Sequence, residues 1–406
     1  MLRYDCIHPL AKPGRHSGAG FLLIFILLFA LRTPVSADAL STPVRLGIDT
    51  DLSAVAVEGG IAITRGVELA VEKINANGGV LGRPLKLEIR DHRGNPARGM
   101  HHIQELAEME DMAAIIGGVH TPVALASLPA IHKHNVIYLD PWAAGTAIVD
   151  NGYRPNNVFR ISVRDSEAGK VMVKHIAERG FKRITLVLER TAWGRSNEQS
   201  ISAAAKSANI DIVATHWINW QQPTFDDAKA VLSDSSDAVV IVANSPEGAT
   251  VINSLFRSGH KLKPVVSHWG IASGSFVERL DADVLSKMDI HVLQTFSFQH
   301  QDSPESKALL HAYYQKYGET APEAIPAVVG LAHAYDLTMI LAKAIASAQS
   351  LETDAIREAL ESLEEHQGVV KNYVPPFTEN RHDALWADDY FMARYNKRGI
   401  LVPEAK

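Results

Sequence analysis

From residue 44 onward the chain alternates short β-branched runs with longer amphipathic helical patterns, and this alternation restricts the folds open to it. VRLGI (44–48) reads as a strand, and GIAITRGVELAVEKIN (60–75) as a helix with one apolar face. LKLEI (85–89) is again a strand, GMHHIQELAEM (99–109) a helix, and AAIIGG and NVIYLD bracket a further helical stretch. The rhythm resumes with ITLVLE (184–189), DIVATHW (211–217), AVVIVAN (238–244) and PVVSHW (264–269). Strands separated by helices predict an α/β fold, with parallel sheets wound by βαβ crossovers. Ligands in such sheets sit where the loops after the strands converge. The candidate loops are therefore 49–53, 118–121, 140–145, 189–194, 244–247 and 267–270.

The first 37 residues read as a signal rather than as part of the fold. Arg3, Lys12 and Arg15 precede the apolar run FLLIFILLFAL (21–31), and Val35, Ser36 and Ala37 form a small-residue cleavage site, with Ala39 as the next candidate. The apolar run falls short of the ~20 residues that a membrane span needs. No later segment reads as long and apolar enough to span, so a soluble mature chain is expected. The only cysteine, Cys6, lies ahead of the apolar run and cannot be a lipid-bearing residue. Without a later cysteine there is no disulfide or thiolate chemistry, and stability must come from burial.

The 369 residues after position 37 exceed what one core usually serves, which predicts two lobes. Removing four basic residues and one acidic residue from the formal charge of −6 leaves −9. Such a surface argues against nucleic acid as a partner. No low-complexity linker divides the chain, so short crossings should join the lobes, at 155–162, at 287–296 and, as a third, at 369–376 (VVKNYVPP). The expected division is 42–160 plus 290–367 for the N-terminal lobe and 161–289 plus 368–406 for the C-terminal lobe.

The segment NANGGVLGRPLKLEIRD (75–91) stops a helix and starts a strand within a few residues. Gly78 and Gly79 can satisfy the last helical carbonyls, and Gly82 and Pro84 force a compact turn. Alone this is ordinary punctuation. In order with strand VRLGI, with IIGGVHTPVALASLPAIHKHNVIYLDP (115–141) and with ERTAWGRS (189–196), it resembles the branched-chain amino-acid (Leu/Ile/Val)-binding family of type I periplasmic receptors of ABC transporters. The INA-x-GG-x-x-GR-x-L run at 74–85 carries most of the likeness, which extends over essentially the whole chain after the signal. The resemblance implies a two-lobed clamshell with Rossmann-like lobes and three hinge crossings. It also implies a periplasmic, monomeric, non-enzymatic receptor that presents a small molecule to a membrane permease or a membrane sensor.

The resemblance also suggests which residues touch the ligand. Thr121 would offer a hydroxyl and His120 a further donor to a carboxylate. Thr121 reads equally well as the start of the helix that follows, with Pro122 in its first turn, and a helix N-terminus is itself an anion site. The family's next loop reads Pro-x-Ala-Thr/Ser; here it is Pro141, Trp142, Ala143, Ala144, Gly145, and the hydroxyl is missing. In the second lobe Trp193 matches an aromatic that commonly stacks on the ligand. Where the family places a carboxylate for an α-ammonium, this chain has His268 and Trp269. A buried ammonium without a counter-charge would cost several kcal/mol, so an ordinary branched-chain amino acid is not the expected ligand. Asp51 or Glu247 could take that role, and the strand-end loops add Ser53 and Asn244.

Trp142, Trp193 and Trp269, at three strand ends, suggest an aromatic-walled pocket for an aromatic acid, a sugar-like face or a quaternary amine. The histidines, including His101, His102, His132 and His134, show no metal-ligand spacing, and neither a metal nor a cofactor is expected. A sensory clamshell is the alternative to a transport receptor. An exported hydrolase is a weaker alternative, since the sequence has no GxSxG elbow, P-loop or GxGxxG.

Overall fold

The computed structural model describes residues 42–404, apart from His260 and His300. The expected signal segment and Cys6 lie outside the described residues. Two sheets organise the rest. The first has five parallel strands in the order β2-β1-β3-β4-β5, namely β1 (Val44–Thr50), β2 (Leu85–Asp91), β3 (Met112–Gly117), β4 (Tyr138–Asp140) and β5 (Val158–Arg160). The second contains β6 (Arg183–Glu189), β7 (Asp211–Ile218), β8 (Ala238–Val242), β9 (Val265–Ser267) and β10 (Ile290–Gln294), all parallel. A small hairpin, β11 (His366–Gln367) and β12 (Asn372–Tyr373), stands apart. β13 (Phe391–Tyr395) and β14 (Leu401–Pro403) then extend the second sheet antiparallel, giving the order β14-β13-β10-β9-β8-β6-β7. The α/β fold with two parallel-sheet lobes is thus the one the alternation implies.

The joint at 75–91 shows how the local sequence sets this geometry. The helix Val57–Ala76 ends at Asn77, and Gly78 and Gly79 take φ values of +96° and +74°. The amide of Gly79 returns to Ile74 O at 3.0 Å. Asn75 then clamps the incoming strand from both sides: its Nδ2 donates to Leu85 O at 2.9 Å, and Leu85 N donates to its Oδ1 at 2.7 Å. A helix stop and a strand start are thereby held in fixed register, so the apolar face of the helix returns onto β1.

That helix packs against Val328–Ala348, whose Leu331, Leu337, Ile340, Leu341 and Ile345 are all buried. Burying side chains of this size stabilises by roughly 1.5–3 kcal/mol each. Val328–Ala348 corrects the reading that no later segment is long and apolar enough to span a membrane. It is 21 residues long with a mean hydropathy of 1.4 over its most apolar window, and its apolarity is that of a core helix, largely buried inside the protein.

The chain passes between the sheets three times: after β5, after β10 and ahead of β13. β10 lies one strand beyond the boundary expected at 289/290. Its residues pair with β9 on one side and β13 on the other, so the second crossing follows Gln294. The segment 369–376 likewise stays with the helices beside the first sheet: Val369 N and Val370 N donate to Asp336 at 2.7 and 3.0 Å, and Tyr373 Oη donates to the same carboxylate at 2.9 Å.

Candidate functional site

The carboxyl ends of the two sheets face one another across a narrow cleft whose walls leave only about 10 Å³ for water-sized spheres. The first sheet contributes Val119, His120, Thr121, Pro122, Trp142 and Ala144. The second contributes Glu189, Thr191, Trp193, Trp220, Asn244 and Trp269. In both sheets the strand order reverses at this point, between β1 and β3 and between β6 and β8. The loops there diverge to opposite faces and leave a crevice, which is where open α/β sheets bind ligands.

On the first side, β3 delivers His120 and Thr121 at the start of the helix Thr121–Lys133. His120 is buried, its Nε2 donating to Asp51 Oδ2 at 2.8 Å, and its ring lies 4.9 Å from that of Trp220. Thr121 Oγ1 accepts from Gly145 N at 3.1 Å, tying this loop to the one after β4. In that second loop, Asp140 Oδ1 accepts from the amides of Trp142 and Ala143 at 3.0 and 2.7 Å. Burial pushes the Asp140 carboxyl up to about 7, against the Arg160 charge and these amides. The turn so formed points the Trp142 ring across the cleft to Trp269, with ring centres 5.1 Å apart.

On the second side, β6 ends at Glu189, and the chain turns through Thr191 into the helix Ala192–Ser207. The turn is tight enough that a Cβ at Gly194 would run into Glu189 O, which is why glycine follows Trp193. Trp193 is buried, and its Nε1 donates to Asp165 Oδ1 at 3.2 Å. Glu189 is fully buried. Its Oε1 accepts from Asn244 N at 2.6 Å and from Asn244 Nδ2 at 2.8 Å, and its Oε2 accepts from Trp220 Nε1 at 2.6 Å. Burial first, and then repulsion from Glu247, push its carboxyl up to about 8, against the three neutral donors. Glu247 is itself raised, mainly by burial, and its Oε2 has no hydrogen-bond partner. The lining residues include no lysine or arginine.

Of the residues expected at the site, His120, Thr121, Trp142, Ala144, Trp193, Asn244 and Trp269 line the cavity, and Asp51, Ser53, Ala143 and His268 do not. Asp51 faces away because its carboxylate is already used. It accepts from Ala54, Val55 and Ala56 amides at 2.9, 2.9 and 3.0 Å and from His120. Burial opposes its ionisation, but His120 and these amides outweigh burial and hold its pKa well below the usual carboxylate range. It organises the loop after β1 and orients His120. Ser53 Oγ instead donates to Asp91 at 2.6 Å. Ala143 packs into the first lobe, its amide bonded to Gly118 O at 2.8 Å. His268 is buried behind the tryptophans, where its Nδ1 accepts from Trp269 N at 2.9 Å and its ring meets Trp193 edge-on at 5.0 Å.

The loop after β9 carries no carboxylate, as its sequence shows, but the cavity does have one in Glu189. Two signals in the sequence point to it: Glu189 ends β6 and opens the candidate loop 189–194, and Trp220 stands just past the end of β7. Four indoles rather than three therefore surround the cavity.

Similarity to known proteins follows the same geometry. Residues 43–399 match the family described as periplasmic binding protein. A Leu/Ile/Val-binding protein, BraC3, of Rhizobium johnstonii is 24% identical over 325 residues, covering 79% of this chain and 84% of that one. A type 1 periplasmic binding protein from Bordetella pertussis Tohama I superposes with a TM-score of 0.81 at 24% identity, over 90% of this chain and 100% of the other. A solute-binding protein of an ABC transporter from R. palustris, solved with 4-hydroxybenzoate, superposes with a TM-score of 0.75 at 16% identity, over 90% and 96% of the two chains.

Proposed function

Because the chain belongs to the periplasmic binding protein family, we propose that it is a monomeric extracytoplasmic receptor, exported by a cleaved signal, that holds a small organic solute between its lobes and delivers it unchanged to an ABC importer. The solute presents an aromatic or alkylammonium group to the four indoles and a hydrogen-bond donor or positive charge to Glu189. The observation that supports this reading is the composition of the wall: four tryptophans, one buried carboxyl group, one histidine and no lysine or arginine. Indole faces attract flat rings and organic cations, the latter by roughly 0.5–2 kcal/mol per ring. A branched aliphatic side chain has no use for that geometry, so the ligand is not an ordinary branched-chain amino acid. Glu189 puts an acidic group in the cleft, so the absence of one after β9 does not itself exclude a branched-chain α-amino acid; the indole wall does.

Native mass spectrometry on protein purified without refolding, followed by a thermal-shift screen, tests the reading. A ligand at a hundredfold excess over its dissociation constant should raise stability by about 2.7 kcal/mol. We expect aromatic or quaternary-ammonium solutes to shift the midpoint most and to be released with unchanged mass. A larger shift with leucine, isoleucine or valine would refute the proposed ligand class. Chemical conversion of the bound compound would refute the receptor reading itself.

A further inference from the structure

Away from the cleft, the fold brings together three residues that the sequence scatters over 230 positions. His175 lies in the last turn of the helix Asp165–Glu178, His291 is the second residue of β10, and Glu404 follows directly after β14. One donor atom from each can be chosen so that all three lie within 4.8 Å of one another. The imidazole rings are 4.8 Å apart and tilted by 49°. Glu404 reaches both, with Oε1 2.5 Å from His291 Nδ1 and Oε2 3.9 Å from His175 Nδ1.

The arrangement around His291 fixes its chemistry. Its Nε2 donates to Asp289 Oδ1 at 2.9 Å, and Asp289 is in turn held by Arg179 and by Arg394 at 3.3 Å. A carboxylate on one ring nitrogen is the usual outer partner of a metal-bound histidine; it sets the tautomer and leaves the other nitrogen as a bare lone pair. Here that other nitrogen, Nδ1, is buried, lacks a hydrogen bond and faces a carboxylate oxygen. His291 is 6% exposed. Two acceptors this close require something positive between them. A hydrogen bond between His291 and Glu404 would serve those two but leaves His175 out, its Nδ1 3.9 Å from Glu404 Oε2. One divalent ion serves all three.

We infer that His175, His291 and Glu404 form a binding site for a zinc-class divalent cation, with the fourth tetrahedral position open to solvent. Two imidazoles and a carboxylate suit zinc, with bonds of about 2.0–2.2 Å. Ligands at that distance in a tetrahedron stand about 3.3 Å apart, so Glu404 must retreat slightly from His291; it is partly exposed, on the segment after the last strand, and has room to do so. The ion would tie that segment to β10 and to the helix Asp165–Glu178, within the second lobe. None of the three residues lines the cleft cavity.

The test uses the full exported chain after chelator treatment and dialysis, titrated with zinc chloride and, for its absorption bands, with cobalt(II). We expect one zinc per chain, tetrahedral cobalt bands and a raised thermal midpoint. His175→Gln and Glu404→Gln should each weaken zinc binding at least tenfold, while His101→Gln, on an exposed helix surface, should leave it unchanged. Glu404→Gln lies outside the core, so its loss of binding cannot be put down to misfolding. Sub-stoichiometric zinc on the wild type, or equal affinity in wild type, His175→Gln and Glu404→Gln, would overturn the site and leave a direct contact between His291 and Glu404 as the explanation.

Discussion

Glu189 is a fully buried carboxylate whose three hydrogen bonds all come from neutral groups. Its folded pKa, about 8, lies above the ordinary glutamate value of 4.5. Between those values the folded state holds a proton that the unfolded state has released, so stability should fall as pH rises through the window and level off above about 8. Urea unfolding of ligand-free protein at pH 5, 7 and 9 should show it. Glu189→Gln, which never ionises there, should gain on the wild type with each step in pH. A wild-type-to-variant difference that stays constant over the range would remove Glu189 as the source. Trp193 calls for a different substitution. It is buried and bonded to Asp165, so Trp193→Ala should cost about 3–5 kcal/mol of stability through the cavity it leaves. Trp193→Phe keeps a ring over the cleft and loses only the bond to Asp165. It should fold with a small loss of stability and weaken ligand affinity several-fold in a calorimetric titration, whereas unchanged affinity would mean that the indole does not touch the ligand.

At the scale of elements, the site is a set of strand ends, and this much could be read from the sequence. The runs at 44–48, 85–89, 184–189 and 238–242 became strands, and the loops after them line or support the cleft. β13 and β14 could not be read in the same way, because they are short and their residues mix polar with aromatic types. β10 falls inside the crossing expected at 287–296, and its antiparallel neighbour β13, which fixes it in the second sheet, lies far along the chain. Within the site, the sequence located the tryptophans but not the direction of each side chain. Asp51 and His268 belong to the expected loops, yet their hydrogen bonds turn them away from the cavity, and such partners become visible only after folding. The turn from β6 into the helix Ala192–Ser207 offers a sharp test. Gly194→Ala places a methyl group against Glu189 O and also crowds Trp217. Overpacking of this kind costs about 1–3 kcal/mol. Because the displaced atom belongs to Glu189, ligand affinity should fall together with the unfolding midpoint; a variant destabilised but binding normally would separate the turn from the site.

The whole molecule depends on how its two sheets are joined, and the joint is itself a buried charge cluster. Where the chain leaves the first sheet, Arg160 is fully buried, and its Nε donates to Asp383 Oδ1 at 2.6 Å. Its Nη1 donates to Ala143 O and Gly145 O at 3.1 and 2.8 Å, which anchors the Trp142 loop of the cleft. Arg164 Nη1 reaches the other oxygen of Asp383 at 2.9 Å. The first and third crossings also run side by side, with Arg160 N on His382 O at 2.8 Å and Ala384 N on Arg160 O at 2.9 Å. Asp383 thus bridges two arginines at the crossings, Asp150 being a second partner of Arg164, and through Arg160 it positions a wall of the site. Removing one member of a buried ion pair typically costs 3–5 kcal/mol, because the remaining charge stays buried without its partner. Asp383→Ala should therefore lower the unfolding free energy by about that much, and by more than Asp383→Asn, which keeps an oxygen for Arg160. Asp383→Asn should also loosen the Trp142 loop. Hydrogen exchange at Ala143 and Ala144 would then speed up in the ligand-free protein, while β8, in the core of the second sheet, would stay protected. Faster exchange throughout both lobes would mean that Asp383 supports global stability only and does not link the crossings to the cleft.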